Sequence, residues 1–225
     1  MVSSPLGSRS KLTPFQSDLL EGFFAREQRF FLTGGAALAG FYFGQRDTDD
    51  LDLFIAGSES GVPLEEGQRQ LRAAADRCGA TLEALRTFPD FRRLLAVRRE
   101  ERCVVDLVVD RAPMVDSAKA TFGTIRVDTL REIAANKACA VHGRSEIKDL
   151  VDLQTLLASG SSLDQALADA SSKDGGVSAA SLAWILEQIS ISPEAALPGG
   201  VDPVALNSFR RDLVPRLRRA AFPKG

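Results

Sequence analysis

Asp50 and Asp52 stand one residue apart in an otherwise apolar run, within the stretch FLTGGAALAGFYFGQRDTDDLDLFIAG from Phe31 to Gly57. In a β-strand, residues two apart share a face, so the alternation predicts two neighbouring carboxylates opposite a face made by Leu51, Leu53 and Ile55. Like charges this close repel, and burying them unpaired costs roughly several kcal/mol. A divalent cation relieves that repulsion, and an all-oxygen donor set suits Mg²⁺. The competing expectation is a solvated strand end beside Asp47 and Asp49.

Upstream, Thr33 ends a short apolar strand, and Gly34-Gly35 leads into a helix read over Ala36 to Phe43. Glycines let backbone come close to a phosphate, and amides at a helix start face anions. Together with the D-x-D this layout would grip a nucleoside triphosphate through Mg²⁺ and displace pyrophosphate. Arg46 is a candidate phosphate contact, or a partner for Asp47 or Asp49. The aromatic triplet Phe41 to Phe43 reads as core rather than as a platform for a base.

Further candidates lie downstream. Asp106 interrupts the apolar strand CVVDLVV and is either a third carboxylate for two-metal phosphoryl transfer or a strand-edge residue. Lys137 breaks the apolar stripe Leu130, Ile133, Ala134, Ala138 and Val141 of a helix read over Thr129 to Val141. It either snorkels to water or points inward to meet an anion, for which a triphosphate qualifies. Asp149 and Asp152 lie a turn apart on the next helix, read as starting at the N-cap Ser145. The helix dipole accounts for Glu146 and Asp149, and Lys148 is an available partner for Asp152. Asp152 is preferred over Asp149 as the functional one of the pair.

The pattern G-G-x-A-L-x(7)-R-x-T-x-D-L-D-L, Gly34 to Leu53, resembles the signature of the polymerase-β-like nucleotidyltransferase superfamily. More narrowly, it is similar to AbiEii/AbiGii-type toxins, and KACAVHGRSEIKDLVDL, Lys137 to Leu153, resembles that family's second block. LPGG and the Arg-rich last helix extend the likeness over about residues 13–220. The resemblance implies an α+β nucleotidyltransferase-like mixed sheet with flanking helices over residues 1–115. A helical domain over 116–225 would complete the active-site cleft. It also implies Asp50 and Asp52 around Mg²⁺ (or Mn²⁺) and Gly34-Gly35 on the triphosphate, with Lys137 and one carboxylate of Asp149 or Asp152 completing the site; to these the reading of the residues adds Asp106 at the metal and Thr33 and Arg46 on the NTP. Taken together, Lys137 binds the triphosphate and Asp106 or Asp152 assists the acceptor hydroxyl beside the D-x-D pair. Some members of the family transfer nucleotides to tRNA, so the implied acceptor is RNA such as tRNA, and a cognate antitoxin is expected to be encoded nearby. One departure is that the superfamily often has Gly-Ser where this chain has Gly34-Gly35, although Thr33 lies beside the pair. Two other readings keep the fold: transfer to a protein or small hydroxylated molecule, and a nucleotide-binding regulator that has lost catalysis.

The elements that must hold these residues follow from pattern. Thr13, Pro14 and Gln16 make a capping box for a first helix carrying Phe15, Leu19, Leu20, Phe23 and Phe24. Residues 1–12 read as a loose tail. Pro63 and Glu65 introduce a helix that Gly79 ends. Three strands follow, over Thr81–Thr87, Arg93–Val97 and Arg102–Asp110, the last two joined through Arg99-Glu100-Glu101. A short strand, Thr124 to Val127, precedes the helices. A net charge of −2 gives no global attraction for nucleic acid, so RNA binding would need a local patch. Candidates are Arg210, Arg211, Arg216, Arg218 and Arg219, or Arg92, Arg93, Arg98, Arg99 and Arg102; both groups also read as solvated faces. No apolar run suits a membrane span, and Cys78, Cys103, Cys139 and the lone His142 make no zinc spacing. The expected setting is the cytoplasm, with reduced thiols.

Overall fold

The computed structural model describes residues 10–57 and 64–222. The expected tail residues 1–9 and the helix-leading Pro63 lie outside this range.

Thr13 starts helix α1 (Pro14–Phe24) with a complete capping box: its side chain accepts from the Gln16 amide at 3.1 Å, and Gln16 Oε1 accepts from the Thr13 amide at 2.8 Å. Such a cap contributes about 1 kcal/mol. Strand β1 (Phe31–Thr33) runs directly into a short helix α2 (Gly34–Ala37), continued by a π-helical turn over Leu38–Tyr42. Then come β2 (Asp50–Ala56), α3 (Leu64–Arg77), β3 (Thr81–Phe88), β4 (Phe91–Arg98) and β5 (Glu101–Asp110). A hairpin of β6 (Lys119–Phe122) and β7 (Ile125–Asp128) completes the sheet. The sequence pattern gave no reason to expect β6, and it extends the single strand read there into a pair.

The seven strands lie in the order β3-β4-β5-β2-β1-β7-β6. The pairs β2/β5 and β1/β7 are parallel and the others antiparallel, so the sheet is mixed. Alternation along β2 is strict: Leu51, Leu53 and Ile55 are fully buried, while Asp50, Asp52 and Phe54 are half-buried. The buried residues join Val105, Leu107, Leu94 and Ala96 on one face, against which α1 and α3 pack. Gly67 in α3 permits that approach, since a side chain there would press on Phe30 and meet Leu107. Arg98 lies over the Phe15 ring at 4.6 Å on this covered face.

The chain divides into two compact units, Met1–Ala112 with Ala118–Thr129, and Pro113–Ser117 with Leu130–Gly225. The second unit is helical: α4 (Leu130–Arg144), α5 (Ile147–Ala158), α6 (Leu163–Lys173), α7 (Ala179–Gln188) and α8 (Pro203–Ala221), around Leu150, Leu153, Leu182, Leu186, Leu213 and Leu217. Segment 113–117 belongs here because Glu132 accepts from the amides of Val115 and Asp116, both at 2.9 Å, while Lys173 pairs with the same carboxylate. The N-cap of α5 is Glu146 rather than the expected Ser145, which takes φ +54° between the two helices.

Candidate active site

The alternation that buries Leu51 and Leu53 leaves the other face of β2 polar, and the sheet register builds a row there. Thr33 pairs with Asp52, Asp52 with Asp106, Asp106 with Arg93, and Arg93 with Arg86. Paired residues share a face, so five adjacent strands align these side chains across the sheet. Asp50 lies one pleat further along β2, with Thr48 Oγ1 donating to its Oδ1 at 3.0 Å. On the other side of the row runs an aromatic one, in which Phe31, Phe54, Val108, Phe91 and Phe88 pair in turn. Phe31 is buried and Phe88 exposed, so this row opens toward β3.

Both glycines of the Gly-Gly step answer to this site. Gly34 adopts φ +67°, and a Cβ there would strike Asp52 Oδ2. A Cβ on Gly35 would strike Nη2 of Arg46, itself buried and donating from Nη1 to the Asp47 carbonyl at 3.0 Å. The serine frequent in the superfamily at the second position would force Arg46 to move. Thr33 Oγ1 is buried and has no hydrogen-bond partner in this structure.

Asp106 is almost fully buried and bound by a guanidinium fork. Arg93 Nε donates to Oδ1 at 2.9 Å and Nη2 to Oδ2 at 2.7 Å. Hydrogen bonding to Asp106, first, and the charges of Asp106, Asp50 and Asp52 hold Arg93 above the ordinary arginine range, against the opposing effect of burial. Among the described residues, no group of three or more His, Cys, Asp or Glu side chains is assembled to hold a metal ion.

Lys137, Asp149 and Asp152 meet in the helical unit. Lys137 points inward, and the anions it meets are aspartates: Nζ lies 2.9 Å from Asp149 Oδ1 and 2.8 Å from Asp152 Oδ2. Arg144 adds a second fork, with Nε 2.7 Å from Asp149 Oδ2 and Nη2 2.9 Å from Oδ1. Both aspartates are fully buried and Lys137 nearly so. Desolvation works to lower the Lys137 pKa, but Asp152 and Asp149 override it and hold the ammonium above 10.5. Desolvation likewise opposes Asp149, and Arg144 and Lys137 override it, so its carboxyl lies below 3.8. Lys148 pairs with Glu146 at 3.1 Å, so Asp152 takes Lys137 as its cation instead.

Several of the remaining candidates have local explanations. Phe41 and Tyr42 pack on Phe122 at 5.1 and 5.7 Å, and the Tyr42 hydroxyl donates to the Asp128 carbonyl at 2.7 Å. Arg98 pairs with Asp18 and Glu101, Arg92 with Glu65, and Arg218 with Glu187. Sequence reasoning put Arg93 in a basic group for RNA phosphates and missed its place beside Asp106. The hairpin supplied the signal: with Arg98 opposite Glu101, counting back along both strands puts Arg93 opposite Asp106.

The fold has counterparts among solved nucleotidyltransferases. A putative nucleotidyltransferase of Helicobacter pylori superposes with a TM-score of 0.55 at 15% identity, covering 90% of this chain and 92% of that one. JHP933 from the same organism gives 0.54 at 15%, covering 91% and 90%. MenT4, a nucleotidyltransferase toxin of Mycobacterium tuberculosis, gives 0.51 at 14%, covering 91% and 82%. No protein of curated function matches. Residues 18–223 match the family described as nucleotidyl transferase AbiEii toxin, type IV toxin–antitoxin system. The chain belongs to that family and is a nucleotidyltransferase enzyme. No helix among the described residues is long and apolar enough to cross a membrane.

Proposed function

We propose that the chain transfers a nucleotide from an NTP to an RNA acceptor such as tRNA, dependent on Mg²⁺ or Mn²⁺, as a toxin neutralised by an antitoxin encoded nearby. The observation that carries this is the row itself: Asp50 and Asp52 on one face, Gly34 stripped of a side chain against Asp52, and the buried, unpartnered Thr33 hydroxyl next in register.

The donor chemistry fits a hard divalent cation. Asp50 and Asp52 would hold it, and Asp106 would join them on release from Arg93. When bound, such an ion neutralises triphosphate charge and lowers the pKa of a coordinated hydroxyl. Thr33 Oγ1 would donate to a phosphate oxygen, and Asp106 would accept the proton of the attacking hydroxyl. Arg46, lodged against Gly35, would add positive charge beside the phosphates. The family pattern assigns Lys137 to the triphosphate. Its ion pairs make any such contact an exchange, in which Asp149 or Asp152 gives up its partner.

The RNA version draws support from the aromatic row next to the carboxylates, because unpaired bases stack on such side chains at about 1–3 kcal/mol each. Labelled NTPs incubated with the protein, Mg²⁺ and a cell lysate test the proposal. Label should migrate with tRNA-sized RNA; label found only in polypeptide or small molecules, or nowhere, overturns it.

A further inference from the structure

Both oxygens of Asp106 are engaged by one side chain. The Arg93 fork occupies the lone-pair directions that a metal would need. Asp106 is 7% exposed, whereas Arg93 is 40% exposed, so the guanidinium closes the outer side of a shielded carboxylate. We propose that Arg93 and a divalent cation compete for Asp106, and that Arg93 passes to the nucleotide's phosphates when the cation takes the carboxylate. This rests on the metal-dependent transfer proposed above, and it makes Arg93 a binding and positioning residue of that site.

Charge and geometry both support the exchange. Arg93 is the cation that binds both oxygens of Asp106, and a divalent ion arriving there would replace its charge. Once the ion sits on the carboxylates, the guanidinium is left without a counter-ion at the edge of the row, where an incoming triphosphate supplies one. Arg93 is 40% exposed, and two groups flank it. Its Cζ lies 5.8 Å from the centre of the Phe91 ring on the same face, and the next residue in register is Arg86, exposed on β3. Two arginines side by side gain from a shared polyanion what they lose to mutual repulsion.

Mn²⁺ binding to the whole protein, followed by the loss of the free-ion electron paramagnetic resonance signal, tests this without turnover. Arg93→Gln should bind Mn²⁺ about tenfold tighter than wild type in the absence of nucleotide, while its KM for NTP rises about tenfold. Arg93→Lys, with one contact point in place of a fork, should show a smaller gain in the same direction and serves if the glutamine variant does not fold. Adding Asp106→Asn to Arg93→Gln should abolish the gain. Binding that Asp50→Asn weakens but Arg93→Gln leaves unchanged or weakens overturns the competition alone. So does a gain that persists without Asp106. Absence of Mn²⁺ binding in wild type and every variant overturns the metal reading and this inference with it.

Discussion

The two acidic groups of this molecule are built on opposite terms. On the sheet, the Arg93 fork holds Asp106, Asp52 lies against Gly34 and the buried Arg46 against Gly35, and Asp50 and Asp52 are half-exposed. In the helical unit, Asp149 and Asp152 meet Lys137 and Arg144, so two anions face two cations, and both aspartates are closed off from water. A balanced, dry cluster has its electrostatic demands met by its own chain. A row with half-exposed carboxylates can be reached from water, and a ligand of the right charge can enter it. The comparison teaches that acidic residues with similar sequence signatures divide by exposure: Asp50 and Asp52 can be reached by a ligand, while Asp149 and Asp152 are closed around cations of their own unit.

The largest expected effect strikes the reachable row. Asp52→Asn should lower nucleotidyl transfer by ~10³-fold or more, about 4 kcal/mol of transition-state stabilisation, with stability changed by less than ~1 kcal/mol. Initial rates with labelled NTP and urea unfolding on the same preparation give both numbers. Equal losses of stability and activity would erase the distinction between the two groups.

Lys137→Met should do the reverse, removing about 3–5 kcal/mol of stability by stranding two buried carboxylates with one partner fewer. The midpoint of urea unfolding measures it. A Lys137→Met protein of wild-type stability would mean that the cluster is looser than its distances of 2.8 and 2.9 Å imply.

How much of this was legible in the sequence depends on the length scale of the cause. The capping box at Thr13 and the D-L-D-L alternation are local, and both are realised in α1 and β2. The Gly-Gly step was legible as a special backbone, but not its reason, because Asp52 and Arg46 approach it only through the fold. Lys137 was correctly read as interrupting a buried stripe, yet its partners are twelve and fifteen residues away on another helix. Strand β6 was missed because Lys119–Phe122 is four residues long and shows no alternation in burial. Ser145 looked like a cap by residue type, and the left-handed backbone there moved the cap to Glu146.

A pH profile sharpens the comparison. The Asp149 carboxyl is held below its ordinary value, so its contribution to stability is present above about pH 4 and is lost as pH falls through the folded-state value. Lys137 is held above 10.5, so its contribution is present below that pH and is lost only as pH rises through the higher folded value. The stability gap between wild type and Asp149→Asn should therefore be flat from about pH 5 to 9 and narrow below about pH 4. A gap that changes near neutrality would place the titrating group outside this cluster.

Gly34→Ala should cost about 1–2 kcal/mol, part from φ +67° and part from the displaced Asp52 carboxylate. The telling readout is again paired, since transfer activity should fall by more than the stability loss explains. A variant that loses stability but keeps its activity would uncouple Gly34 from the site.

The smallest effect concerns the two faces of the sheet. Cys103 is fully buried in β5, and its thiol is pushed up to about 12, chiefly by desolvation and further by the nearby charge of Asp50. At pH 8 roughly one such thiol in ten thousand is ionised, and the thiolate is the form that reacts. Cys78 and Cys139 are only partly buried. In the native protein a thiol-specific reagent should reach Cys78 and Cys139 first, and Cys103 should react only at the rate at which the structure opens. Peptide mapping after timed labelling reads this directly. The covered face packed by α1 and α3 and the open face carrying the carboxylate row belong to the same strands, so Cys103 reports on the first while Asp106 serves the second. Labelling of Cys103 as fast as that of Cys78 would mean that the sheet is not sealed on its covered side, and the row on its other side would then lose the rigid support that sets its register.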